Sequence, residues 1–249
     1  MTEKTNEIKT EILLPAIQEL VAAGVHTGHR TSKWHPKMAP YIFSSRHGTH
    51  VFDLEKTLEK LSEALVFLSR VVANDGVILF VGTKPAARAI VREAAQALGM
   101  PYVVDRWLGG TLTNFKTIAK RIQYLKNLEE QEQTGQWEKY TKKERLELRR
   151  EKEKLQKRLV GIRALAKLPE VVLATDIKMD EIAIREARKT KVPVISLCDT
   201  NMDPTAVDYL IPANDDASAS LKIIFDSIVK NLKNKRPVKT ADNSVEIKK

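Results

Sequence analysis

Val77-Ile78-Leu79-Phe80-Val81-Gly82-Thr83-Lys84 is the stretch that decides the fold. Val77–Val81 is apolar throughout, with no polar alternation, as a strand buried on both faces of a parallel sheet requires. Gly82-Thr83 turns the chain. The pattern that follows predicts a helix from Lys84 to Leu98, with Pro85 near its first turn and Gly99 as its stop. The same unit recurs downstream. Val171–Ala174 and Val194–Leu197 read as strands, Met179–Lys189 as the helix between them, Tyr209–Ile211 as another short strand, and Ala217–Leu232 as a closing helix. Tyr102–Val104 adds one more short strand. Upstream, Leu13–Gly24 reads as a short helix. Asp53 reads as the N-cap of a helix to Ala73, in which Leu54, Leu58, Leu61, Leu65 and Leu68 recur every three or four residues. Residues 25–52 look loop-like, with strand candidates at Tyr41–Phe43 and Thr49–Phe52. Alternating strands and helices predict an α/β fold on a mostly parallel, doubly wound sheet.

Residues 112–167 interrupt that alternation. They hold no proline and only Gly135 and Gly161 as glycines. Phe115, Ile118, Ile122 and Leu125 follow a helical 3-4-3 spacing, and Leu148, Leu155, Leu159, Ile162 and Ala166 a heptad-like one. Gly135 marks a reversal, so the segment reads as an antiparallel helical hairpin with a narrow apolar seam, inserted in the α/β unit. Gly161, inside the second pattern, is the element that does not fit it. The predicted organisation is an α/β core over 1–111 and 168–232, a coiled-coil hairpin over 112–167, and a basic, disordered tail over 233–249.

The chain has 249 residues, enough for a sizeable core, and a formal net charge of +10. That charge is localised. Residues 116–163 carry 15 Lys/Arg against 8 Asp/Glu, and residues 230–249 carry 7 against 2, leaving the remainder slightly acidic. Localised basic charge suits a polyanion, although a solvated helix face produces the same count. No run of 18 apolar residues is present to span a membrane, and Met1–Glu11 lacks the basic-then-apolar pattern of a secretory leader. Cys198 is the only cysteine and reads as a buried thiol in a strand.

Several groups of residues could carry chemistry. A helix start at Lys84 could hold a phosphate, but neither the Walker A nor the G-x-G-x-x-G pattern is present, which argues against a mononucleotide site. All five histidines fall within residues 26–50, and the spacing of His26 and His29 would allow a zinc site. Arg30, Lys33, Lys37 and Arg46 interleave with Trp34, Tyr41 and Phe43, a mixture suited to RNA unless the rings form a local mini-core. Asp176, Asp199, Asp203, Asp215 and Asp216 fall just past strand ends, where a magnesium-dependent phosphotransfer enzyme would place ligands. Turn and cap formation explains each of them without chemistry, and no nucleophile or base stands out. A third reading is a scaffold whose hairpin recruits another protein. Finally, Arg106-Trp107-Leu108-Gly109-Gly110-Thr111-Leu112-Thr113-Asn114-Phe115 joins sheet to hairpin: the double glycine lets the chain turn, Thr111 or Thr113 is the expected cap of the first long helix, and Arg106 and Trp107 are expected to face a partner.

Ala23-Gly24-Val25-His26-Thr27-Gly28-His29, the run Trp34–Phe43, Ile78–Lys84, Arg106–Phe115, Val192–Pro204 and Ile211–Asp216, in this order and spacing, resemble the bacterial and organellar small-ribosomal-subunit protein of the S-two family over roughly residues 10–232. His35 departs from the Asn or Asp that members often carry there. The resemblance implies a flavodoxin-like parallel sheet carrying an inserted antiparallel coiled-coil hairpin. It implies a structural, non-enzymatic constituent of the small ribosomal subunit that supports translation. Its implied partners are small-subunit rRNA and other small-subunit proteins, including the large mRNA-binding one, with no membrane. Its implied location is the ribosome, cytoplasmic or organellar. No cofactor is expected, zinc or magnesium being the alternatives. By position, the RNA-binding candidates are Arg30, Lys33, Trp34, Lys37, Arg46, Lys84, Arg106, Trp107, Thr111, Asn114 and Lys116.

Overall fold

A computed structural model of the chain describes residues 12–233. Met1–Glu11 and nearly all of the tail expected over 233–249 lie outside the described residues.

The chain opens with α1 (Ile17–Ala22), shorter than the predicted helix and ended by Gly24, whose φ of +73° suits glycine. It then builds something the sequence only half revealed. β1 (Thr27–Arg30), β2 (Ile42–Arg46) and β3 (Thr49–Phe52) form a separate antiparallel sheet in the order β1-β3-β2. His47 (φ 49°) and Gly48 (φ 73°) make the two-residue turn between β2 and β3, both left-handed, as a tightly twisted hairpin requires. β1 escaped prediction because it is four residues long and carries no apolar alternation.

α2 (Leu54–Ala73) starts where Asp53 predicts, its carboxylate accepting from the Glu55 and Lys56 amides, and buries Leu54, Leu61, Leu65 and Leu68. β4 (Ile78–Val81) leads to α3 (Arg88–Ala97), which begins four residues later than the sequence suggests. Lys84–Ala87 form a turn instead, so Lys84 is not at a helix N-terminus. β5 (Tyr102–Val103) precedes the insertion, α4 (Phe115–Gln133) and α5 (Lys142–Leu159). Then follow β6 (Val171–Ala174), α6 (Glu181–Lys189), β7 (Val194–Cys198), β8 (Tyr209–Pro212) and α7 (Ser218–Lys233).

The five later strands form one parallel sheet in the order β5-β4-β6-β7-β8. Counted along that sheet alone this is 2-1-3-4-5, the flavodoxin-like order, whose switch point lies between β4 and β6. Successive residues face opposite sides. Ile78 and Phe80 join the core built with α2, α3 and α7, whereas Leu79 and Val81 join the one built with α6 and the root of the insertion. Helices therefore cover both faces, which accounts for the unbroken apolar runs.

Between β5 and β6, α4 and α5 contact one another across a reversal at Gly135 (φ 70°). Ile118, Ile122, Leu125 and Leu128 of α4 are buried on the predicted spacing. α5 fits its prediction less well. Leu148 and Leu155 are half-buried, the helix ends at Leu159, and Ile162 packs from a following 3-10 turn while Ala166 is exposed beyond it. Gly161 explains the break: a Cβ there would lie 2.0 Å from the Tyr102 carbonyl oxygen, so only glycine lets this turn press against β5.

Candidate nucleic-acid interface

The C-terminal ends of β6 and β8 converge on Lys84, just past β4. Lys84 Nζ lies 2.8 Å from Asp215 Oδ1, 2.5 Å from Asp216 Oδ1 and 3.4 Å from Asp176 Oδ2, with its side chain only 16% exposed. Burial acts to lower the Lys84 pKa, but the Asp215 and Asp216 carboxylates outweigh it and the net shift is upward. His29, reaching in from β1, sets Nδ1 3.0 Å from Asp199 and Nε2 3.5 Å from Asp216. The Asp199 hydrogen bond raises its pKa against the desolvation that opposes it. Asp215 is fully buried, with Oδ2 unpartnered; burial, reinforced by the Asp176 charge, pushes it up to about 7. Three carboxylates thus share one ammonium while a fourth, Asp199, pairs with His29, and the excess negative charge favours proton binding at Asp215.

Capping accounts for only part of these aspartates. Asp176 accepts from the Lys178 and Met179 amides at 2.7 and 2.8 Å, and Asp203 accepts from Thr205. The turn leading into α7 is held by Asn214, which accepts from the Asp216 and Ala217 amides, and Asp199 accepts from Thr200, while Asp199, Asp215 and Asp216 also serve the charge network. Lys84, a predicted RNA contact, is therefore held inside the protein by its own carboxylates. Cys198 is fully buried, as expected, and burial holds its thiol far above the ordinary range.

The junction run is organised by a residue the sequence did not single out. Glu186, on α6, accepts through Oε1 from Trp107 Nε1 (3.1 Å) and the Gly110 amide (2.7 Å). Its Oε2 accepts from the Leu112 and Thr113 amides and the Thr113 hydroxyl at 3.0–3.2 Å. Burial would raise its pKa, but these donors outweigh burial and lower it. One carboxylate thereby clamps the loop that launches the insertion. The signal was a Glu set among the inward-facing Ala183, Ile184 and Ala187. Trp107 is 6% exposed and packs in the core below the sheet, so it does not face outward as expected. Thr111 is also buried, its hydroxyl donating to Leu108 O, and the helix N-cap is Asn114 rather than either threonine. Arg106, Asn114 and Lys116 remain exposed on the surface around this loop.

On the small sheet, Trp34 is 41% exposed with its ring 5.3 Å from that of His50, and Phe43 is 76% exposed. The buried residues here, Met38 and Phe52, join the core on one face of the parallel sheet, with Tyr41 half-buried against it, so there is no separate mini-core and Trp34 and Phe43 stay outside. Arg30, Lys33 and Arg46 are exposed beside them. Lys37 differs: its Nζ is 2.9 Å from Asp203 and 3.0 Å from Thr205, and the Lys37 bond holds the Asp203 carboxyl well below its usual range.

For a metal, the ligand atoms of His29, Asp199 and Asp216 lie within 4.8 Å of one another. His26 is not part of that group. Gly28 makes it reachable, since a Cβ there would sit 2.6 Å from the Thr200 methyl and push β1 away.

No helix among the described residues is long and apolar enough to cross a membrane. A family model for ribosomal protein S2 matches residues 20–234, spanning both sheets and the inserted helices. The chain belongs to the ribosomal protein S2 family, a family of small-subunit structural proteins and not of enzymes.

Proposed function

We propose that this small-subunit ribosomal protein binds small-subunit rRNA through phosphate contacts and holds neighbouring subunit proteins, including the large mRNA-binding one, as a structural constituent of the cytoplasmic or organellar ribosome. The observation that carries the reading is the charge arrangement of a family member: exposed Arg30, Lys33, Arg46, Arg106 and Lys116 have no acidic partner among the described residues. Uncompensated cations suit a backbone that must be neutralised. The 3-4-3 seam of α4 is read as half of a short antiparallel coiled coil that stiffens the insertion. Co-sedimentation of the purified protein with protein-depleted small subunits tests the reading. Binding should be lost at high salt, and charge reversal at Arg106 and Lys116 should lower occupancy. Retention in the soluble fraction at low salt would refute it.

A second reading concerns the strand-end cluster, where excess carboxylate charge beside His29 favours a divalent cation such as zinc or magnesium held by His29, Asp199 and Asp216. Elemental analysis of chelator-treated and then zinc-reloaded protein tests it. Stoichiometric zinc that disappears in Asp199→Asn supports the site, and its absence from the parent protein ends it.

A further inference from the structure

Some cations of the insertion are neutralised within the protein: Lys152 and Arg149 pair with Glu132, and Arg163 with Glu129 at 2.6 Å. Others line two clefts. The first, of about 570 Å³, runs between α4 and α5 and is lined by Arg121, Arg150, Lys154 and Arg158 around Tyr124. The second, of about 380 Å³, lies where the insertion meets the sheet and is lined by Arg158, Lys157 and Arg92, with the backbone of β5 and Gly161 as its wall. Arg158 lines both, so the clefts adjoin. None of these six cations has an acidic partner among the described residues, and the acids lining the two clefts are Glu151, which accepts from the Tyr124 hydroxyl, and Asp105, which faces Arg88.

We propose that these two adjoining clefts seat the phosphate backbone of a small-subunit rRNA segment, and that the segment locks the insertion to the sheet. The inference rests on the rRNA-binding reading and assigns it a surface. Six uncompensated cations in a concave track concentrate positive potential where neighbouring phosphates of one backbone can follow it. Tyr124, 41% exposed at the floor of the first cleft, offers a ring face to a sugar or base. The second cleft supplies the locking action. Arg92 belongs to α3 of the sheet unit and Lys157 and Arg158 to α5, so a phosphate between them is held from both units at once. The close approach allowed by Gly161 brings the two sets of cations together.

The test measures binding of the full-length chain to isolated small-subunit rRNA across a salt series. Two variants are compared with the parent: Arg121→Gln/Lys154→Gln/Arg158→Gln in the clefts, and Arg149→Gln/Lys152→Gln among the neutralised cations. Each phosphate contact contributes roughly 0.9 to the slope of log affinity against log salt, so the cleft variant should lose about 2 to 3 from that slope. At near-physiological salt it should bind on the order of 100-fold more weakly. The second variant should match the parent. Unchanged slope and affinity in the cleft variant, with unchanged thermal melting, would overturn the proposal while leaving rRNA binding intact. Failure of the parent chain to bind any rRNA would instead overturn the functional reading on which it rests. In the cleft variant, hydrogen exchange at Tyr102 and Gly161 should no longer slow on adding rRNA; persisting rRNA-dependent protection there would remove the locking role.

Discussion

The strand-end cluster and the cleft face of the insertion are both charged, and they use charge in opposite ways. At the strand ends, Lys84 is enclosed by Asp176, Asp215 and Asp216, and its charge is spent inside the fold. On the insertion, Arg121, Arg150 and Lys154 have no paired acid among the described residues. A basic residue marks a binding surface when the protein leaves it unneutralised, and counting lysines and arginines along a sequence cannot make that distinction.

The sharpest way to break the comparison is to exchange a lysine for a neutral residue in each region. Lys84→Met strands several carboxylates away from water and is expected to lower stability by about 4 kcal/mol in urea unfolding; a loss below about 0.5 kcal/mol would show that the cluster is not a structural unit. Glu186→Ala tests the neighbouring clamp. It leaves the Trp107 indole N–H and the Gly110 and Leu112 amides without their acceptor, so a loss of about 3 kcal/mol is expected, with faster hydrogen exchange over residues 107–113.

Proton linkage gives a smaller, signed effect. Asp215 is held up to about 7 from an ordinary 3.8, and His29 is raised above 6.5. Both bind protons more tightly in the folded chain. The Asp215 contribution is therefore complete below about pH 4 and lost as pH rises to about 7. That of His29 is complete below its unfolded value and lost as pH rises above it. Urea midpoints should decline from pH 5 to pH 8, and Asp215→Asn should flatten the portion below pH 7. Glu186, lowered in the fold, acts in the opposite sense, its contribution being lost as pH falls below about 4.5. A rising profile between pH 5 and 8 would mean that the cluster is not holding protons. The smallest effect belongs to the insertion, where Lys154→Gln should change stability by less than about 0.5 kcal/mol. A larger loss would mean that Lys154 has a partner inside the protein and that the two regions are alike.

Legibility followed the same divide. The runs Ile78–Val81 and Val171–Ala174 showed their strands directly because burial on both faces leaves no room for polar residues. Asp53 announced α2 because an N-cap is a local device. Thr27–Arg30 did not announce β1, since its pairing with β3 comes from residues some twenty positions away. The start of α3 was misplaced for a related reason: Lys84 is drawn into contacts made by Asp176 and Asp215, invisible from Pro85 and its neighbours. Trp107 looked like a gripping aromatic because the sequence could not place Glu186 beside its indole nitrogen.

By itself the sequence determined the parallel sheet, the inserted helices, the position of the basic charge and the family resemblance. All of these follow from short-range periodicity or from residues read in order. Only the tertiary structure decided which charges are free. Pairing between Lys84 and Asp215 spans 131 positions, whereas Arg158 has no paired acid among the described residues, and neither fact exists until the chain has folded. Electrostatic energy depends on distance through space, and distance along the chain predicts it only within a helix turn or a tight loop.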